Sequence, residues 1–252
     1  MKKTIFLLLT LILISQVFAQ NKTNVKAKAT TSSVKKVTTT VKQQPKPKEF
    51  VSKERLIEIT TDYGVMIARL YDSTPLHRDN FIKLVQQGFY DSLLFHRVIK
   101  EFMIQGGDPT SKYASDSTML GMGSAPGENI PAEFKNYLFH KRGVLAAARD
   151  NNPQKSSSNC QFYIVQGKRY DSALLDKVYN GAVKANNPGF AYTAAQKEIY
   201  KRLGGTPFLD QNYTVFGEVI SGLDVIDKIA NAPTKPGDRP VKDIRMKMKL
   251  LN

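Results

Sequence analysis

Residues 55–71, RLIEITTDYGVMIARLY, alternate apolar and polar side chains on both sides of Asp62-Tyr63-Gly64. A period of two buries one face of a strand. The turn residues at its centre fold the run into a β-hairpin in which Ile57 and Ile59 are expected to face Val65 and Ile67. Strands joined by so short a turn pair antiparallel, which disfavours a parallel βαβ sheet for this chain.

The remaining segments extend that sheet. Thr74-Pro75 starts a helix carrying Phe81, Leu84 and Val85 at helical spacing, with Gly88 at its C′ position. Residues 94–99 and 102–105 read as two strands around Lys100-Glu101, and a glycine- and serine-rich loop runs from 106 to 127. Residues 143–149, 161–165, 213–219 and 244–250 supply further strands, and 223–230 a helix. Residues 168–207 break this rhythm, because 170–185 and 191–203 have helical composition and spacing on either side of Asn186-Asn187-Pro188-Gly189. The pattern is mainly β: a closed or nearly closed antiparallel barrel capped by helices, with a helical insertion at about 168–207.

The N-terminus reads differently. Lys2 and Lys3 precede an apolar run from 5 to 14, and Val17-Phe18-Ala19 supplies small residues for cleavage after Ala19. This is the pattern of a secretory signal peptide over 1–19, and the run is shorter than the ~20 residues that cross a bilayer. The cleaved protein is expected to be exported, to the periplasm or beyond, as a monomer without a stable membrane span. Residues 20–50 are rich in Lys, Thr and Pro with no aromatic before Phe50, as in a disordered basic linker, leaving 51–252 as the folded domain. This linker also accounts for much of the net charge of +15. Residues 21–50 carry eight lysines against Glu49 alone, whereas 51–252 hold 27 basic and 21 acidic side chains. A nucleic-acid partner is therefore not expected.

Few catalytic constellations are available. Cys160 is the only cysteine, and it and the three histidines show no metal-ligand spacing. There is no G-x-S-x-G elbow, and Gly121-Met122-Gly123-Ser124 is followed by no phosphate-binding lysine. Arg97 stands out because it lies among Phe95, Val98 and Ile99 on a strand. Such an arginine is seldom left unpaired. Two readings stay open at this level: pairing with a core carboxylate, or a hold by Gln105 that leaves donors free.

The segment 95–110, FHRVIKEFMIQGGDPT, resembles the signature of the cyclophilins. IPAEF at 130–134, GVLAAA at 143–148, QFYIV at 161–165, FLD at 208–210 and VFG at 215–217 follow in that family's order, so the likeness covers most of 53–252. The resemblance implies a closed eight-stranded antiparallel barrel capped by helices. It also implies a peptidyl-prolyl cis/trans isomerase that acts on proline-containing segments of unfolded or folding proteins without cofactor or metal. Carried over by position, Arg97 is the catalytic arginine and Gln105 the residue that orients it. Phe102, Met103, Tyr163 and Leu209 wall the proline pocket, Gln161 contacts the peptide backbone, Phe208 and Tyr213 form the rim, and Ala148 belongs to the extended peptide subsite.

Some positions depart from the family pattern. Phe208 stands where many members have tryptophan, Tyr213 where many have histidine, and Arg149-Asp150 where asparagine is usual. Tyr163 replaces a frequent phenylalanine and adds a hydroxyl at the pocket wall, which is expected to be tolerated if its tip reaches water. The insertion 168–207 is either a decoration with its own small core or a lid or docking element. An alternative to the enzyme is a peptide-binding chaperone or scaffold on the same fold, for which the apolar pocket would suffice and Arg97 would be unnecessary.

Overall fold

The computed structural model describes residues 55–251; the expected signal peptide and the basic linker lie outside them. The chain order is β1 (Arg55–Thr61), β2 (Gly64–Leu70), α1 (Pro75–Gln86), β3 (Phe95–Ile99), β4 (Met103–Gly106), β5 (Val144–Ala147) and β6 (Phe162–Val165). There follow α2 (Ser172–Val178), α3 (Lys184–Asn186), α4 (Ala194–Arg202), β7 (Val215–Ser221), α5 (Leu223–Ala230) and β8 (Lys247–Leu250).

Every strand pair is antiparallel, and the eight form one curled sheet in the order β3-β4-β6-β5-β7-β2-β1-β8. The expected closure is looser than strand pairing. Edge strands β3 and β8 meet through the bridge Leu94↔Arg245, with hydrogen bonds from Phe95 N to Ile244 O and from Met246 N to Leu93 O. The curl is therefore a half-barrel laced at its seam by the residues that flank the two edges.

The hairpin corrects one expectation. Its two-residue turn pairs Thr61 with Gly64, so Ile57 lies opposite Ala68 and Ile59 opposite Met66. Met66, Ala68 and Leu70 are buried, whereas Val65 is half exposed. Turn length sets register, and one residue of register moves every side chain to the other face.

The concave side holds the main core. Ile57, Ile59, Met66, Ile104, Leu145, Phe162 and Ile164 from the strands meet Phe81, Leu84 and Val85 of α1 and Val225, Ile226 and Ile229 of α5. Phe81 packs edge-on to Phe162 at 5.5 Å and lies 5.0 Å from Tyr90 and 5.3 Å from Phe216. Such aromatic pairs contribute about 0.5–1.5 kcal/mol each beyond area burial. The alternate residues of the same strands, Met103, Val144, Ala146, Tyr163, Val165 and Val215, form a second cluster on the opposite face. The inserted helices build a third around Phe139, Tyr170, Leu175 and Tyr200, and α4 opens on a capping box between Thr193 and Gln196.

Candidate active site

The second cluster is where the sequence-predicted site residues converge. Arg97 lies opposite Gln105 across β3 and β4, and Gln105 lies opposite Tyr163 across β4 and β6, so the three share a cross-strand row. A register shift in β3 between Phe95 and Arg97 makes this possible. Phe95 and Arg97 would otherwise share a face; the bulge lets Phe95 enter the core while Arg97 reaches the cleft.

Arg97, Phe102, Met103, Gln105, Ala148, Arg149, Tyr163, Leu209 and Tyr213 line a cleft of about 150 Å³. Met103 and Tyr163 are buried in its floor, with Phe102, Leu209 and Tyr213 packed against them. Phe208 stands outside the cleft, 39% exposed, with its ring 5.5 Å from that of Phe102. Tyr213 meets Tyr163 edge-on at 6.0 Å and is covered by the Arg149 guanidinium at 4.8 Å. Arg149 is itself held on Asn212, through Nε to the carbonyl at 3.0 Å and Nη2 to Oδ1 at 2.8 Å. The sequence marked Arg149 only as a departure; here it props the mouth.

The polar contacts differ from expectation at Gln105 and at the Tyr163 hydroxyl. Gln105 does not hold Arg97: its Nε2 donates to Gln161 Oε1 at 3.2 Å, and Arg97 Nε donates to Asp238 Oδ2 at 3.3 Å. A carboxylate outcompetes a neutral amide for a guanidinium N–H. Among the described residues the terminal guanidinium nitrogens have no hydrogen-bond partner. Gln161 is committed to the glycine-rich loop, donating to the carbonyls of Gly121 at 2.9 Å and Gly123 at 2.8 Å, and so lines an adjoining cleft of about 360 Å³ with Gln105, Ala148 and Arg149. The Tyr163 hydroxyl does not reach water but sits on His140 Nε2 at 2.9 Å, and burial pushes its pKa well above the usual tyrosine value.

The glycine-rich loop is gathered on Asp108, which has no exposed surface. Its Oδ1 accepts from Thr110 N at 2.8 Å and Thr110 Oγ1 at 2.7 Å; its Oδ2 accepts from Gly121 N at 2.5 Å and Gly123 N at 3.4 Å. Burial acts to raise the Asp108 pKa, but these donors outweigh it and hold the carboxyl below its ordinary value. Cys160, by contrast, is buried with its pKa raised by desolvation, the state of an inert thiol. Among the described residues no cluster of His, Cys, Asp and Glu could hold a metal ion.

An eight-stranded antiparallel half-barrel with helical caps, carrying on the face opposite its core a cleft floored by Met103 and Tyr163 and edged by Arg97 and Arg149, is the architecture of a prolyl isomerase of the cyclophilin type. Comparison with known proteins agrees. Residues 56–249 match the family model described as cyclophilin type peptidyl-prolyl cis-trans isomerase/CLD. A Staphylococcus saprophyticus relative named for that isomerase activity is 34% identical over 190 residues, covering 75% of this chain and 87% of its own. One from Staphylococcus haemolyticus is 34% identical over 198 residues, covering 78% and 91%. The chain belongs to the cyclophilin-type peptidyl-prolyl cis-trans isomerase family. A solved Cryptosporidium parvum cyclophilin shares the fold, with TM-score 0.58 and 24% identity over 79% of this chain and 98% of its own. The same protein was also solved in the presence of the dipeptide Ala-Pro, with TM-score 0.57.

Proposed function

We propose that the 150 Å³ cleft grips the pyrrolidine ring of an X–Pro segment while Arg97 stabilises the twisted amide. Rotation about that bond is resisted by ~18–20 kcal/mol because the nitrogen lone pair is delocalised into the carbonyl. In the twisted state the lone pair localises on the prolyl nitrogen, and a guanidinium N–H then donates a hydrogen bond that the planar amide could not accept well. An interaction stronger in the transition state than in the ground state is what accelerates the step. The observation that carries this reading is Arg97 itself: Nε is taken by Asp238, and the terminal nitrogens are without a partner among the described residues at the edge of a cleft floored by Met103 and Tyr163.

Substrates on this reading are exposed proline-containing segments of unfolded or folding proteins, in keeping with the Ala-Pro dipeptide used with the Cryptosporidium parvum relative. The apolar run after Lys2 and Lys3 supports the further reading that this work is done on exported proteins outside the cytoplasm. The test is an isomerisation assay on a short X–Pro peptide with wild type and Arg97→Ala, alongside peptide binding by NMR. The expected result is a loss of roughly 10²–10³-fold in kcat/KM with binding retained. Equal turnover by the two would overturn the role of Arg97. Binding without turnover by either would favour a peptide-binding scaffold.

A further inference from the structure

Asp210 has no exposed surface, yet both its carboxylate oxygens are fully engaged. Its Oδ1 accepts from the backbone N–H and from Nδ1 of His140, each at 2.7 Å; its Oδ2 accepts from the hydroxyls of Tyr192 at 2.5 Å and Tyr200 at 2.6 Å. A carboxylate offers about four acceptor positions, and these four donors fill them. Because Asp210 can only accept, the Nδ1 proton of His140 points to it. In the neutral ring Nε2 then accepts from the Tyr163 hydroxyl at 2.9 Å. The His140 and Tyr163 rings stack at 6.0 Å with 14° between their planes.

Tyr192 and Tyr200 belong to the inserted segment, and Tyr163 is a wall of the cleft. The same segment also holds the turn that carries Leu209. Asn186 Nδ2 donates to Asp210 O at 3.0 Å, and Lys168 and Gly205 exchange backbone hydrogen bonds immediately before it. A surface decoration needs no polar chain into the site, and a lid would lie over the mouth rather than behind a wall. Buried networks in which every member is satisfied fix side-chain orientation more firmly than apolar packing does.

We propose that the inserted helices are a positioning device for the proline pocket: Tyr192 and Tyr200 hold Asp210, Asp210 orients His140, and His140 anchors Tyr163 by its hydroxyl. This rests on the reading that the cleft holds proline. All four are positioning residues acting through Tyr163.

The test is a mutant cycle on kcat and KM with an X–Pro peptide. Tyr163→Phe and the pair Tyr192→Phe with Tyr200→Phe are each expected to lower kcat/KM on the order of 5-fold, and the triple variant to be no worse than Tyr163→Phe alone. A general loss of structure would not show that dependence on one hydroxyl. Full activity in the folded pair variant would overturn the proposal, as would losses that multiply in the triple variant. Should the pair variant fail to fold, Tyr192→Phe alone leaves Asp210 three donors and must show a smaller loss that vanishes in the Tyr163→Phe background. If wild type turns over the peptide and Arg97→Ala does not, a silent cycle defeats this inference alone. If wild type is inactive, the reading of the cleft fails first and takes the inference with it.

Discussion

Arg97 Nε donates to Asp238 Oδ2 at 3.3 Å, and the backbone N–H of the next residue, Val98, donates to the Asp238 carbonyl at 2.8 Å. The loop carrying Asp238 is thus fastened to the strand that presents the guanidinium. Both side chains are more than two-fifths exposed, so the ion pair contributes at most about 1 kcal/mol. Its main effect is on the field at the cleft. Asp238→Asn removes the charge and keeps a residue that accepts the left-handed backbone at φ 63°. Urea unfolding is expected to shift by less than about 0.5 kcal/mol. KM for peptides with an acidic residue beside proline is expected to fall several-fold at low salt. That gain disappears near 1 M salt, where the screening length is ~3 Å. An unchanged KM at low salt would show that Asp238 exerts no field there.

Gly107 gives a sharper prediction, because its backbone sits at φ 95° and a Cβ there would lie 2.3 Å from the carbonyl oxygen of Cys160. Both strain and collision oppose any side chain, and the obstacle is backbone that cannot swing aside. Gly107→Ala is expected to destabilise the domain by about 2 kcal/mol or more, read as a lowered urea midpoint. Gly181→Ala, where nothing lies within 4 Å, serves as the control and is expected to leave the midpoint nearly unchanged.

What the sequence made legible follows from range. The strands around Arg97, the helix carrying Phe81 and the helical character of 168–207 are local patterns, and period alone reveals them. Register is less local: the partners of Ile57 depend on whether two or three residues make the turn at Asp62, which an alternating run does not state. The least legible features join distant residues of ordinary type. Asp238 lies 141 positions from Arg97, His140 occupies a stretch with no chemical signature of its own, and Asp210, though it ends the FLD run, gives no sign there of its distant partners. The Tyr163 hydroxyl was visible, but its destination was not, since nothing near 163 points to His140.

Asp108 ties the start of the glycine-rich loop to its middle. Asp108→Ala removes the acceptor of the Gly121 and Gly123 N–H groups and is expected to cost about 2–4 kcal/mol. The loop that carries the carbonyls bound by Gln161 would loosen with it, so peptide affinity is expected to fall as well. The pH dependence follows from the depressed pKa. Above the ordinary carboxyl value both folded and unfolded forms are ionised and the stabilisation is fully present. It is lost as pH falls through the lower folded value. Asp108→Asn should therefore unfold with a flatter acid limb than wild type, and parallel limbs would show that Asp108 is not the group responsible.

His96 adds a second acid sensitivity of the same sign, through burial of a neutral ring instead of stabilisation of a charged one. It is 3% exposed, and neither ring nitrogen has a hydrogen-bond partner among the described residues. Burial, opposed by Asp108 and the Leu94 backbone and reinforced by the charges of Arg97 and Arg239, lowers its pKa from 6.5 to about 4. The folded state thus refuses a proton that the unfolded chain accepts. Stability is unaffected by this group above pH 6.5 and declines as pH falls from there toward 4, where the folded form begins to protonate too. The accumulated loss is on the order of 3 kcal/mol. His96→Phe keeps a ring in the same space and removes the titration. Urea midpoints measured between pH 7 and pH 4 are expected to fall less steeply for this variant than for wild type. Identical slopes would mean that His96 gains a partner on protonation, with the ring turning toward Asp108 to find one.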